Sequence, residues 1–105
     1  MKKTLVLFVL FAIALALAPA TYAAAGAAIF KAKCAMCHGP DGAGKTGMGK
    51  SLGLKDFSSK EVQSQSDADL IKITTDGKGK MPSYKAKLSE EEIKAVVAFI
   101  RTLKK

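Results

Sequence analysis

The chain has 105 residues, with 17 Lys plus Arg against 9 Asp plus Glu, 2 Cys, 1 His and no Trp. That length allows one small domain, and its apolar content is concentrated at the front: residues 1–23 hold 18 of 51 apolar residues, leaving 33 of 82 for the remainder. The remainder buries only a small core, and two cysteines three apart cannot close a useful disulfide loop, so a bound prosthetic group is the expected staple.

Met1-Lys2-Lys3 is positively charged, Leu5 to Ala18 is an unbroken apolar run, and small residues follow at Pro19, Ala20, Ala23, Ala24 and Ala25. This is the layout of a secretory signal peptide. The run of 14 residues is shorter than the roughly 20 that a spanning helix needs, which favours a cleaved leader over an anchor. The predicted division is a signal peptide over residues 1–23 and a single domain over 24–105, with the bond after Ala25 as an alternative cleavage point. Cutting after Ala23 leaves 15 basic and 9 acidic side chains, a net charge of +6. Export implies the periplasm, where a lone cysteine pair is oxidised unless something else claims it.

In chain order, the Ala-rich stretch from Ala24 to Cys37, with Ile29, Phe30 and Cys34 at near-helical spacing, predicts a first helix that Gly39 and Pro40 stop. Gly39 to Lys55 carries six glycines, a density that predicts a long functional loop wrapped closely around something. Ser58 and Ser59 cap a short helical turn through Val62. Ser66 and Asp69 stand at capping-box spacing and open a short helix ending at Asp76 and Gly77. Ser89 and Glu92 form a full capping box for a last helix whose stripe of Ile93, Val96, Val97, Ile100 and Leu103 has amphipathic spacing. No segment alternates as a strand does. The expected architecture is all-α, three to four short helices tied by loops.

Cys34-Ala35-Met36-Cys37-His38 is the C-x-x-C-H signature of covalent c-type haem attachment. On a helix Cys34 and Cys37 share a face, so both sulfurs can form thioethers along one porphyrin edge. His38 follows at once and can turn its imidazole under the iron. Competing readings are weaker: zinc wants a fourth ligand, a thioredoxin-type pair wants a βαβ setting, and a 34–37 disulfide closes too small a loop. The expected cofactor is therefore one haem c, with Cys34, Cys37 and His38 as cofactor-binding residues and His38 as a metal ligand.

With one histidine in the chain, the sixth iron ligand is a methionine or the position is open or lysine-ligated. Met36 lies on the wrong side of the turn, and Met48 sits only ten residues after His38. Met81 is flanked by Gly79, Lys80 and Pro82, poor surroundings for a core residue, and lies far enough along to reach the other haem face. Met81 is the favoured second iron ligand, with Met48 and an open site as alternatives. The second nitrogen of His38 is expected to donate to a backbone carbonyl, Pro40 being one candidate.

These residues resemble the small class I cytochromes c, single-haem soluble electron carriers, over essentially the whole chain after the leader. Cys34, Cys37 and His38 match the family's attachment motif, and Met81-Pro82 matches its distal-ligand loop. Gly26, Phe30 and Phe99 occupy the positions where the family packs a glycine and an aromatic against an aromatic of the last helix. The stretch from Cys37 to Gly44, with Leu52 and Asp56-Phe57, is similar to a branch of bacterial periplasmic and photosynthetic carriers. The resemblance implies a class I cytochrome c fold in which the first and last helices cross and one haem edge is exposed.

Two filled axial positions favour electron transfer over catalysis, so no enzyme activity is expected. Neutral sulfur and a buried haem raise the potential relative to bis-imidazole haem. Lys78, Lys80, Lys85 and Lys87 around Met81 form a basic patch suited to acidic faces of redox partners, with plain solubility as the alternative role. No reading helix or aromatic platform for nucleic acid is visible. A monomer is the default. The leading reading is a soluble periplasmic electron carrier; the alternative is a gas-binding or catalytic haem protein with a displaceable sixth ligand.

Overall fold

The computed structural model describes residues 21–105. The leader expected over residues 1–23 lies, apart from its last three residues, outside them. Six helical segments follow in order: α1 (residues 21–33), α2 (Ala35–His38), α3 (Gly47–Leu52), α4 (Lys60–Gln63), α5 (Asp67–Asp76) and α6 (Glu90–Thr102). Among the described residues there is no strand, only an isolated antiparallel bridge between Lys78 and Met81. The all-α expectation agrees with this, but the count of three to four is too low by two or three.

The first extra segment comes from a break in the predicted first helix. Cys34, at φ −115° and ψ −32°, stays right-handed but is stretched well away from ideal helix dihedrals, and it stands as the N-cap residue of α2. The second is α3, inside the glycine-rich stretch expected to be all loop. Its low intrinsic propensity is overcome at both ends, because Thr46 accepts the Gly49 N–H at 2.8 Å and Gly53 closes the helix at φ +65°.

The three helix starts expected to carry serine caps have them, the first at Ser59 alone, because the Ser58 hydroxyl donates to Asp56 instead. Ser59, Ser66 and Ser89 accept the N–H groups of Val62, Asp69 and Glu92, and Glu92 returns the bond by accepting the Ser89 N–H at 2.9 Å. The apolar stripe of α6 is buried at Ile93, Val96, Val97 and Ile100. Against it α1 crosses closely: Gly26 is buried, and a Cβ there would run into the Ala95 carbonyl. Phe30, one turn on, is 1 % exposed and packs on Val96 and Ile100. Its ring lies 5.1 Å from Phe99 and meets Phe57 edge-on at 6.0 Å. Burial of a side chain this size stabilises by about 1.5–3 kcal/mol. A second cluster of Val62, Leu70 and Val97 ties α4 and α5 to α6.

Polar bonds fasten the same elements. Arg101 of α6 pairs with Asp67 at 2.8 Å and donates to the Gln63 and Gln65 carbonyls, while the Gln63 amide donates to the carbonyls of Phe57 and Ile100. The linkers on both sides of α4 are thereby pinned to α6. Among the described residues no helix is long and apolar enough to cross a membrane.

Candidate functional site

The break at Cys34 shapes the site. The Cys37 N–H turns back to the Cys34 carbonyl at 3.3 Å, and the Lys33 carbonyl accepts the Tyr84 hydroxyl at 3.0 Å. The glycine-rich segment then holds the far end of the motif. Gly44 N–H donates to the His38 carbonyl at 2.8 Å, and the Thr46 hydroxyl to the Cys37 carbonyl at 2.6 Å. The loop expected to wrap something wraps the backbone of the C-x-x-C-H turn itself.

Met81 is presented by different means. After α5 ends at Gly77, Lys78 and Met81 exchange backbone hydrogen bonds of 3.1 and 2.9 Å, making a tight turn over Gly79 and Lys80. The segment then folds back onto the C-terminus of α5, where the Thr74 and Thr75 carbonyls accept from Tyr84, Lys85 and the Ser83 hydroxyl. This satisfies carbonyls that a helix end leaves open. Gly77 is required here: at φ +79° and ψ 170° it sits where side chains are excluded, and a Cβ would lie 2.7 Å from the Met81 carbonyl oxygen.

Two adjoining clefts result, of about 450 and 280 Å³, and they share Cys34, His38, Leu54, Lys78 and Met81. Cys37 and Tyr84 line the larger one, whose rim carries Lys33, Lys78 and Lys80. The smaller is apolar, walled by Phe30, Phe57, Val62, Leu70, Val96 and Ile100. All four residues singled out in the sequence, Cys34, Cys37, His38 and Met81, are thus brought to one cleft. Met36 and Met48 are 81 % and 50 % exposed and line neither cleft.

The cysteines are not joined to each other. Burial, with a smaller contribution from Cys37, pushes the Cys34 thiol up to about 11. Burial also lowers the pKa of His38, which keeps the imidazole neutral and its lone pair available at neutral pH. The hydrogen bond expected from its second ring nitrogen to a backbone carbonyl is not made. Nδ1 is buried with no partner among the described residues, and Phe57 instead stacks on the imidazole at 4.5 Å and 26°. The sequence named Phe57 only within a resemblance and gave no sign of this contact. Among the described residues no three His, Cys, Asp or Glu side chains gather to hold a metal ion.

A family model described as cytochrome c oxidase, cbb3-type, subunit III matches residues 21–100. Cytochrome c6 of Leptolyngbya boryana is 35 % identical over 78 residues, spanning 74 % of this chain and 88 % of that protein. The chain belongs to the class I cytochromes c, with a single haem. Cytochrome c6 of Aphanizomenon flos-aquae is 36 % identical over 71 % of this cytochrome and 83 % of its own length. A solved structure, the KustC0563 c-type cytochrome, superposes with a TM-score of 0.71 at 36 % identity, covering 76 % of this chain and 98 % of that one. This cytochrome is a haem-based electron carrier with covalently bound haem c. Its residues fit that group: two unbridged thiols at C-x-x-C spacing border a cleft with an apolar floor, beside a neutral imidazole.

Proposed function

We propose that this cytochrome is an exported, monomeric, non-catalytic shuttle that moves single electrons between redox proteins, in which Cys34 and Cys37 would hold the haem through thioethers and His38 and Met81 would ligate its iron. The observation that carries the reading is the convergence of Cys34, His38 and Met81 on the surface shared by the two clefts. When bound, the haem supplies reversible one-electron exchange between ferric and ferrous iron. The chain's own residues do the rest. His38, neutral because it is buried, offers a nitrogen lone pair, and the stacked Phe57 ring limits its rotation. Met81 offers a neutral, polarisable sulfur that favours the ferrous state, and the apolar wall from Phe30 to Ile100 keeps water off.

The partner side of the reading rests on charge. Lys33, Lys78 and Lys80 rim the larger cleft, and Lys85 and Lys87 are exposed beside it. Such a patch steers the protein towards acidic faces of periplasmic or membrane-bound redox complexes and speeds encounter at low salt. The leader over residues 1–23 delivers the domain 24–105 to the periplasm. The test is carbon monoxide added to the dithionite-reduced holoprotein. A filled, inert sixth position leaves the visible spectrum unchanged; a rapid spectral change at low carbon monoxide would replace the carrier reading with gas binding or catalysis.

A further inference from the structure

The segment that presents Met81 is well fastened on one side only. Its backbone and Ser83 bond to the end of α5, through the carbonyls of Thr74 and Thr75. Towards the stretch from Lys33 to His38, which carries the cysteines and the histidine, residues 78–88 make one hydrogen bond among those described, from the Tyr84 hydroxyl to the Lys33 carbonyl at the end of α1, at 3.0 Å across 51 positions of sequence. That carbonyl is free to accept because the break at Cys34 sends the Cys37 N–H elsewhere.

Tyr84 is also aimed in advance. Its N–H donates to Thr74, its carbonyl accepts from both Lys87 and Leu88, and the Lys87 ammonium sits 5.4 Å over its ring. Leu88 is buried and anchors the far end of the segment. With the backbone held at both groups and the ring braced by a cation, the hydroxyl loses little freedom when it bonds.

We infer that Tyr84 is a positioning residue for the distal ligand, a latch whose hydroxyl holds the Met81 segment against the break at Cys34 and so keeps the methionine sulfur over the cleft. The inference rests on Met81 being the axial ligand. Releasing the latch leaves the α5 side of the segment attached while the Met81 side swings more freely, so an external ligand competes better for the iron. A single hydrogen bond of ordinary strength changes such an equilibrium by about three- to tenfold.

The experiment uses ferric holoprotein titrated with imidazole alone and followed by the loss of the long-wavelength sulfur-to-iron band. Tyr84→Phe keeps the ring, its packing and the Lys87 contact and deletes the hydroxyl. The expected result is imidazole binding about three- to tenfold tighter than in wild type, with the band intact before titration. Gln63→Ala, which removes the amide bonds to the Phe57 and Ile100 carbonyls and touches no hydrogen bond of residues 78–88, serves as the reference. It is expected to lower the denaturation midpoint without tightening imidazole binding. Equal imidazole affinity in wild type and Tyr84→Phe would overturn the latch, as would equal tightening in Gln63→Ala. A wild-type protein that has no sulfur band at all would overturn the Met81 assignment first, and the latch with it, before any variant is compared.

Discussion

Replacing Gly77 by alanine puts a methyl group where the chain has no room. The new Cβ would lie 2.7 Å from the Met81 carbonyl oxygen, 2.8 Å from the Ser83 nitrogen and 2.9 Å from the Pro82 carbonyl carbon, well inside the ~3.5 Å at which carbon contacts turn attractive. All three are backbone atoms and cannot rotate away. The φ of +79° and ψ of 170° add strain of about 1–3 kcal/mol for a side-chain-bearing residue, and overpacking adds about 1–3 kcal/mol more. The expected cost is therefore about 2–6 kcal/mol, and it falls on the turn that presents Met81 before it reaches the helices. Gly79→Ala is the matched comparison, since Gly79 also has positive φ, +59°, but no atom stands within 4 Å of its Cβ position; its cost is about 1–2 kcal/mol. Denaturant titrations of the ferric holoproteins, followed both by the sulfur-to-iron band and by helical circular dichroism, separate the two effects. Gly77→Ala should lose the band at a denaturant concentration below its helical midpoint, and Gly79→Ala should lose both together. Equal behaviour of the two variants would refute the claim that Gly77 shapes the ligand turn.

Phe30→Ala empties the crossing of α1 and α6 and should cost about 3–5 kcal/mol, seen as a fall of roughly 12 °C or more in the thermal midpoint of the holoprotein; a loss under about 1 kcal/mol would contradict the packing described. Glu92 is held below its ordinary carboxyl pKa of 4.5 by the Ser89 N–H and then the Ser89 hydroxyl. A depressed folded pKa gives stability that is fully present above 4.5 and lost as pH falls through the lower folded value. Glu92→Gln should flatten the pH dependence of the denaturation midpoint below that point, whereas wild type should decline. Reversing charge at the cleft rim with Lys78→Glu and Lys80→Glu should slow oxidation by ferricyanide about tenfold at low salt and converge with wild type near ~1 M salt, where screening reaches about 3 Å. Stopped-flow rates that do not respond to the substitutions would leave the patch with solubility as its role.

What the sequence made legible was local. The serine caps at 59, 66 and 89 and the stripe of α6 need only neighbours within a turn or two, so spacing alone reveals them. Cys34-Ala35-Met36-Cys37-His38 is similarly self-contained, and Met81 stood out because glycine, lysine and proline flank it. The features that stayed hidden depend on partners distant in sequence. The helix α3 owes its existence to Thr46, which bonds back to Cys37, and propensity could not foresee that tie in a stretch so rich in glycine. The stack of Phe57 on His38 joins residues 19 positions apart, and the Tyr84 bond to Lys33 spans 51. The expected bond from His38 to a backbone carbonyl failed for a related reason: the ring is packed against Phe57 with Nδ1 turned to no acceptor.

The most direct test of the central claim is the visible spectrum of the ferric and dithionite-reduced holoprotein, taken for wild type and for Met81→Ala. Wild type should give low-spin ferrous c-type bands and the weak long-wavelength ferric band of sulfur ligation. Met81→Ala should lose that band, open the iron to carbon monoxide and lower the reduction potential. An unaltered low-spin spectrum in Met81→Ala, or a high-spin wild type, would contradict ligation by His38 and Met81.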